Sequence, residues 1–147
     1  MSAPILFTPY DFLEDFLAEA QLAKKSIYLQ SMNFEAGEVL SRIEAVLIPA
    51  LERGVRVNLT IDWVARLFTN GHLPLLPGEF ARSRSARLRF YKESEALRNR
   101  LMSHGATIVT TNTPTFLTRP FSMFRRNHIK MYMVDERIAW IGGINLF

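Results

Sequence analysis

Apolar residues recur at helical spacing from Phe12, through Leu13, Phe16, Leu17 and Ala20, to Ala23. A start signal precedes them: Thr8 as a cap, Pro9 for the first turn and Asp11 at capping-box-like spacing. The pattern predicts an amphipathic helix to about Lys25. Ser26 to Phe34 then reads as a strand, buried on both faces for part of its length, and Glu35-Ala36-Gly37 breaks it. A second helix is predicted from Glu38 to Arg53, with Val39, Leu40, Ile43, Val46, Leu47, Ala50 and Leu51 inward and Gly54 as its C-terminal cap. Pro49 is a misfit there. An interior proline loses a hydrogen bond and costs about 3 kcal/mol, which predicts a kink or a helix restarting at Pro49. Val55 to Ile61 alternates cleanly, as a strand ending at Asp62.

Residues 63 to 91 lack a clear period. Gly71, Pro74, Pro77 and Gly78 punctuate a long loop, and Arg82, Arg84, Arg87 and Arg89 sit among serines. Loops of that length in compact domains are often lids or binding loops. A third helix is predicted from Glu93 to His104, stopped at Gly105, followed by a strand from Ala106 to Thr111. A Thr/Pro-rich loop over 112–122 comes next. Helix, glycine, strand occurs twice, at Arg53-Gly54-Val55 and His104-Gly105-Ala106. Such units suggest parallel strands joined by right-handed crossovers. The expected fold is a single α/β domain over residues 1–147, a mixed, mainly parallel sheet flanked by helices on both faces.

The rest of the chain serves one stretch, Arg126 to Asp135 followed by Trp140-Ile141-Gly142-Gly143-Ile144-Asn145. Residues two apart on a strand share a face. His128, Lys130, Tyr132 and Val134 then lie on one side, and Ile129, Met131 and Met133 behind them. Asp135 falls where that strand should end. A short strand from Ile138 to Ile141 runs into Gly142-Gly143, where backbone can approach a ligand closely or adopt positive φ. The set suits an anion: a base or nucleophile in His128, a cation in Lys130, a carboxamide donor in Asn145 and open backbone N–H groups.

His128-x-Lys130, Asp135, Gly142-Gly143 and Asn145 together resemble the HKD motif of the phospholipase D superfamily, with every position filled. Phe124-Arg125-Arg126-Asn127 before the histidine and Gly-Gly-Ile-Asn after Ile141 are most similar to the bacterial cardiolipin synthase branch. The resemblance reaches back to about residue 8. It implies phosphatidyl transfer through a phosphohistidine: His128 attacks phosphorus, and a second histidine from another half protonates the leaving alkoxide. Lys130 would clamp the non-bridging oxygens. Asp135 would orient a histidine or support the motif. Gly142, Gly143 and Asn145 would bind phosphate. No metal or other cofactor is implied.

Each residue also has a plainer reading. His128 alone would be a structural histidine, Lys130 an edge lysine, Asp135 a turn former and Gly142-Gly143 a tight turn. The full pattern in register outweighs these. Gln30, Glu35 and Asp62 lie at strand ends, where α/β folds place ligands, but capping explains each of them, and His72 and His104 read as structural.

Composition narrows the picture further. The chain has 147 residues, 48% hydrophobic and 22% charged, enough for one core-forming domain. Net charge is +4 and the pI about 9.8. That suits an anionic partner, expected to be a phospholipid and a membrane surface, with nucleic acid the lesser expectation. Without cysteine there is no disulfide framework. No apolar run spans a membrane, so the expectation is an enzyme associated with the membrane surface. The chain stops soon after Asn145, which reads as the N-terminal half of a longer enzyme and predicts uncovered apolar surface at Ile144, Leu146 and Phe147. Such a half needs a second HKD half, from a following segment or from a homodimer. Two alternatives stand beside this reading: a phosphodiesterase or nuclease acting as a dimer, and a non-catalytic half-domain.

Overall fold

A computed structural model of the chain describes residues 8–32, 34, 37–63, 80–113 and 128–143, with backbone alone at 80–88 and 90. The elements run α1 (Pro9–Gln21), β1 (Ser26–Ser31), α2 (Glu38–Glu52), β2 (Arg56–Asp62), α3 (Phe80–Ser103), β3 (Thr107–Thr111), β4 (Lys130–Val134) and β5 (Ile138–Gly142). Thr8 caps α1 as its sequence foretold, its hydroxyl accepting the Asp11 N–H at 3.1 Å. The helix ends at Gln21 rather than Lys25. The N–H groups of Lys24 and Lys25 turn away from it to a carboxylate far along the chain.

α2 runs through Pro49 without a restart, and Arg53 N–H still reaches the Pro49 carbonyl at 3.1 Å. The proline still forgoes the N–H bond to the Ala45 carbonyl, so the helix continues in spite of that loss. Both helix–glycine–strand junctions close identically. Gly54 (φ +84°) donates to Leu51 and Val55 to Ala50; Gly105 (φ +100°) donates to Met102 and Ala106 to Leu101. These are paired Schellman caps, and each needs a residue at positive φ.

The five strands form one sheet in the order β3-β2-β1-β4-β5. β1–β2 and β2–β3 are parallel; β4 runs antiparallel to β1 and to β5. The α/β class and the mixed sheet are as the sequence indicated, with β4 alone reversed. The crossovers through α2 and α3 step the same way along the sheet. Right-handed connections therefore put both helices on one face, and α1 packs beside α2 on that face. Ile27, Leu29, Val57, Leu59, Ile61, Tyr132, Val134 and Trp140 bury against them. The three described helices pack on this face. On the other face Val109 is 50% and Ile141 77% exposed.

α1 is anchored by an aromatic cluster. Phe12 and Phe16 meet Tyr132 at ring-centroid distances of 4.7 and 5.9 Å and Trp140 at 6.3 and 5.7 Å. The Trp140 indole N–H donates to Asp15 at 3.0 Å. Both motif strands are thus pinned to the first helix, and aromatic pairs of this kind add about 0.5–1.5 kcal/mol each beyond burial.

The third helix begins at Phe80, not Glu93, so the loop expected over 63–91 gives way to helix from residue 80. Residues 64–79 of that loop, and 114–122 of the next, lie outside the described residues.

Candidate active site

β4 pairs with β1 through Gln30↔Met131 and with β5 through Lys130↔Gly142. Its first residue therefore stands where the parallel strands β1 and β2 end. That carboxyl edge is where open α/β sheets bind ligands. One step further along the same register Ser31, itself buried, stands opposite Lys130. Nothing in the residues around Ser31 marks it; its place at the end of the neighbouring strand does.

Lys130 is 4% exposed. Its Nζ lies 3.3 Å from His128 Nδ1 and donates to the His128 carbonyl at 3.1 Å. Among the described residues no carboxylate is within salt-bridge distance of it. A buried ammonium without a counter-ion is costly, and an anion placed beside it would lower that cost. His128 beside it is exposed. An ammonium has only hydrogens to offer, so the 3.3 Å contact needs Nδ1 unprotonated.

Lys130, Tyr132 and Val134 face the core, while Met131 and Met133 are half-buried and Ile129 is exposed. The apolar packing expected behind the lysine therefore lies along its own face, supplied by α1. Burial pushes the Tyr132 phenol up to about 12, so it stays neutral at the base of the site.

Asp135 is not brought to His128. The five residues of β4, roughly 16 Å at 3.3 Å per residue, lie between them. Asp135 (φ +54°) and Glu136 (φ +56°) form the β4–β5 turn, closed by Arg137 N–H to Val134 at 3.0 Å. Two consecutive left-handed residues are a turn conformation that usually recruits Asn or Gly, and the register Val134↔Ile138 leaves three residues in this loop. The Asp135 carboxylate accepts N–H bonds from Lys25 at 2.7 Å, Ser26 at 3.0 Å and Lys24 at 3.0 Å. Burial pushes its pKa up, but these three bonds and the Arg137 charge outweigh that and hold it below the usual 3.8. Of the roles the resemblance allowed, these contacts favour support of the motif.

Gly142 and Gly143 lie at the site's edge, exposed, and a Cβ on either would meet nothing within 4 Å. Neither adopts positive φ; among the described glycines only Gly54 and Gly105 do. Conformational freedom is thus not what they supply, and open room beside Lys130 is. Asn145 lies outside the described residues, as does Glu35. Asp62 is buried and accepts the Asn112 side-chain N–H at 2.7 Å, in keeping with a capping role.

A mixed sheet with a buried lysine and an exposed histidine at its carboxyl edge describes an α/β domain with a candidate site at that edge. The family model of the cardiolipin synthase phospholipase D-like domain matches residues 16–147. The chain belongs to that family. It is similar to the minor cardiolipin synthase ClsB of Bacillus subtilis (strain 168), 25% identical over 136 residues, covering 92% of this chain and 28% of that relative. The chain thus spans under a third of the curated relative's length.

Proposed function

We propose that this domain supplies one half of a phosphatidyl-transfer site, with His128 as nucleophile and Lys130 as phosphate clamp. The observation that carries the reading is the buried Lys130 ammonium, uncompensated by any described carboxylate and in contact with an exposed histidine. A phosphodiester entering beside Gly142 and Gly143 draws the ammonium onto its non-bridging oxygens. Lys130 then leaves Nδ1, the ring proton can reside there, and Nε2 is free to attack phosphorus. The P–N bond forms as the P–O bond to the leaving alcohol breaks. A histidine of a second half gives that alkoxide its proton and later takes one from the acceptor hydroxyl, which attacks phosphorus and releases His128. Lys130 stabilises the charge on the equatorial oxygens throughout. Asn145 joins Gly142 and Gly143 in holding phosphate. With a lipid glycerol hydroxyl as acceptor the reaction is cardiolipin synthase-like; with water it is phospholipase D-like. Family membership and the likeness to a cardiolipin synthase support the lipid reading.

The test is turnover of phosphatidylglycerol vesicles and of duplex DNA by the wild type and His128→Ala, with oligomeric state measured alongside. Phosphatidyl products that vanish in His128→Ala are expected from an assembly containing two histidine motifs. DNA cleavage without lipid turnover would instead establish the nuclease reading.

A further inference from the structure

We propose that the N-terminal half of α3 is a surface-docking element that holds the carboxyl edge of the sheet against an anionic lipid bilayer. The inference deepens the phosphatidyl-transfer reading and rests on it for the identity of the surface.

Length comes first. α3 has 24 residues, about 36 Å at 1.5 Å per residue. β2, the longest strand of the sheet, has seven, about 23 Å at 3.3 Å per residue. A crossover helix runs antiparallel to the strands it joins, and the lower end of α3 is fixed. The Schellman cap at Gly105 and the Ala106 N–H to Leu101 at 3.0 Å tie it directly into β3. The excess, roughly 13 Å or nine residues, is therefore at the other end. It projects past the carboxyl edge, the edge that carries His128, Lys130 and Gly142.

Burial agrees. Ser94, Leu97, Arg98 and Leu101 are buried, whereas Arg89, Tyr91, Lys92 and Glu93 are exposed. The packed part of α3 is its C-terminal part.

Charge says what the projection meets. Between Phe80 and Lys92 the chain carries Arg82, Arg84, Arg87, Arg89 and Lys92 and no acidic residue. Glu93, the first acid, lies 4.0 Å from Arg89 in a pair with both partners largely exposed, too weak to mask the run. Phe80, Phe90 and Tyr91 are interspersed with the cations. Aromatics among basic residues on a surface helix suit the headgroup level of a bilayer. Each cation near an anionic leaflet adds to the attraction. No described helix is long and apolar enough to cross a membrane, and α3 in particular is far too charged for it. The projection and the site share one edge, so docking the helix turns His128 towards the headgroups.

The experiment is sedimentation of the protein with phosphatidylcholine vesicles holding either no phosphatidylglycerol or about a third of it, at low and at high salt. The comparison variant is Arg82→Gln/Arg84→Gln/Arg87→Gln/Arg89→Gln, since glutamine keeps helix propensity; an unchanged melting temperature verifies its fold. Wild type is expected to bind the anionic vesicles alone and to lose binding as salt rises. The quadruple variant should bind at least tenfold more weakly while turning over a soluble short-chain phosphodiester as wild type does. His128→Ala should bind vesicles undiminished. Equal binding by wild type and quadruple variant overturns the proposal and leaves the catalytic reading intact. Salt-sensitive vesicle binding without His128-dependent turnover leaves the docking element standing and defeats the catalytic reading. Preference for duplex DNA over anionic vesicles at the same ionic strength would replace the membrane with nucleic acid as the partner.

Discussion

Ser26 and Asp135, 109 residues apart, exchange two hydrogen bonds: Ser26 N–H donates to the Asp135 carboxylate at 3.0 Å, and Asp135 N–H donates to the Ser26 carbonyl at 2.7 Å. The exchange locks the β4–β5 hairpin to the start of β1. The motif strand's register, and with it the position of Lys130, depends on this clamp at the opposite end of β4.

Asp135→Ala should therefore destabilise the fold by about 1–3 kcal/mol, because it leaves three backbone donors without their acceptor. Asp135→Asn should cost less, since asparagine tolerates the left-handed conformation and can still accept. Urea unfolding measures both. Loss of activity with unchanged stability would contradict the supporting role and point to direct chemistry at Asp135.

The same clamp sets an acid limit. Asp135 has a folded-state pKa below its ordinary value, so in the acid range the unfolded chain binds more protons and stability rises with pH. The contribution is complete above the ordinary carboxylate range and is lost as pH falls through the lowered folded value. Urea midpoints between about pH 2 and 5 should fall more steeply for wild type than for Asp135→Asn. Parallel slopes would refute this.

Lys130→Met separates binding from folding. It removes a buried ammonium that has no described carboxylate partner and keeps a similar volume. The fold should be unchanged or stabilised by about 0–2 kcal/mol, while affinity for inorganic phosphate, followed by imidazole NMR shifts, should fall at least tenfold. A variant destabilised by several kcal/mol would mean that the lysine is held for structural reasons.

The glycines should divide into two kinds. Gly54→Ala and Gly105→Ala place a side chain at positive φ and should each cost about 1 kcal/mol or more. Gly142→Ala meets open space and should alter stability by less than about 0.5 kcal/mol, yet weaken phosphate binding. A large stability loss at Gly142 would place it with the structural pair.

Local physics made much of this legible from sequence. The Thr8 cap, the two helix–glycine junctions and the β-period around Lys130 are short-range patterns, and each holds in the fold. His128 does touch Lys130, though from the segment before β4 rather than from the strand itself. The start of α3 was hidden because residues 80–92 are rich in arginine and serine and show no apolar period for a helix to announce itself by. The clamp at Asp135 was hidden for a different reason. Its partners are backbone N–H groups at residues 24–26, and nothing in the chemistry of those side chains marks them. Helix placement on one face follows from the direction of two crossovers, which only the strand order reveals.

The central claim is that His128 forms a covalent bond to phosphorus. The most direct measurement is the intact mass of the assembled protein after brief reaction with a short-chain phosphatidyl diester, comparing wild type with His128→Ala. An acid-labile phosphatidyl adduct on wild type, mapped to the peptide carrying His128 and missing from the variant, is the predicted result. An adduct that persists in His128→Ala, or turnover with no adduct at any time after mixing, would contradict it.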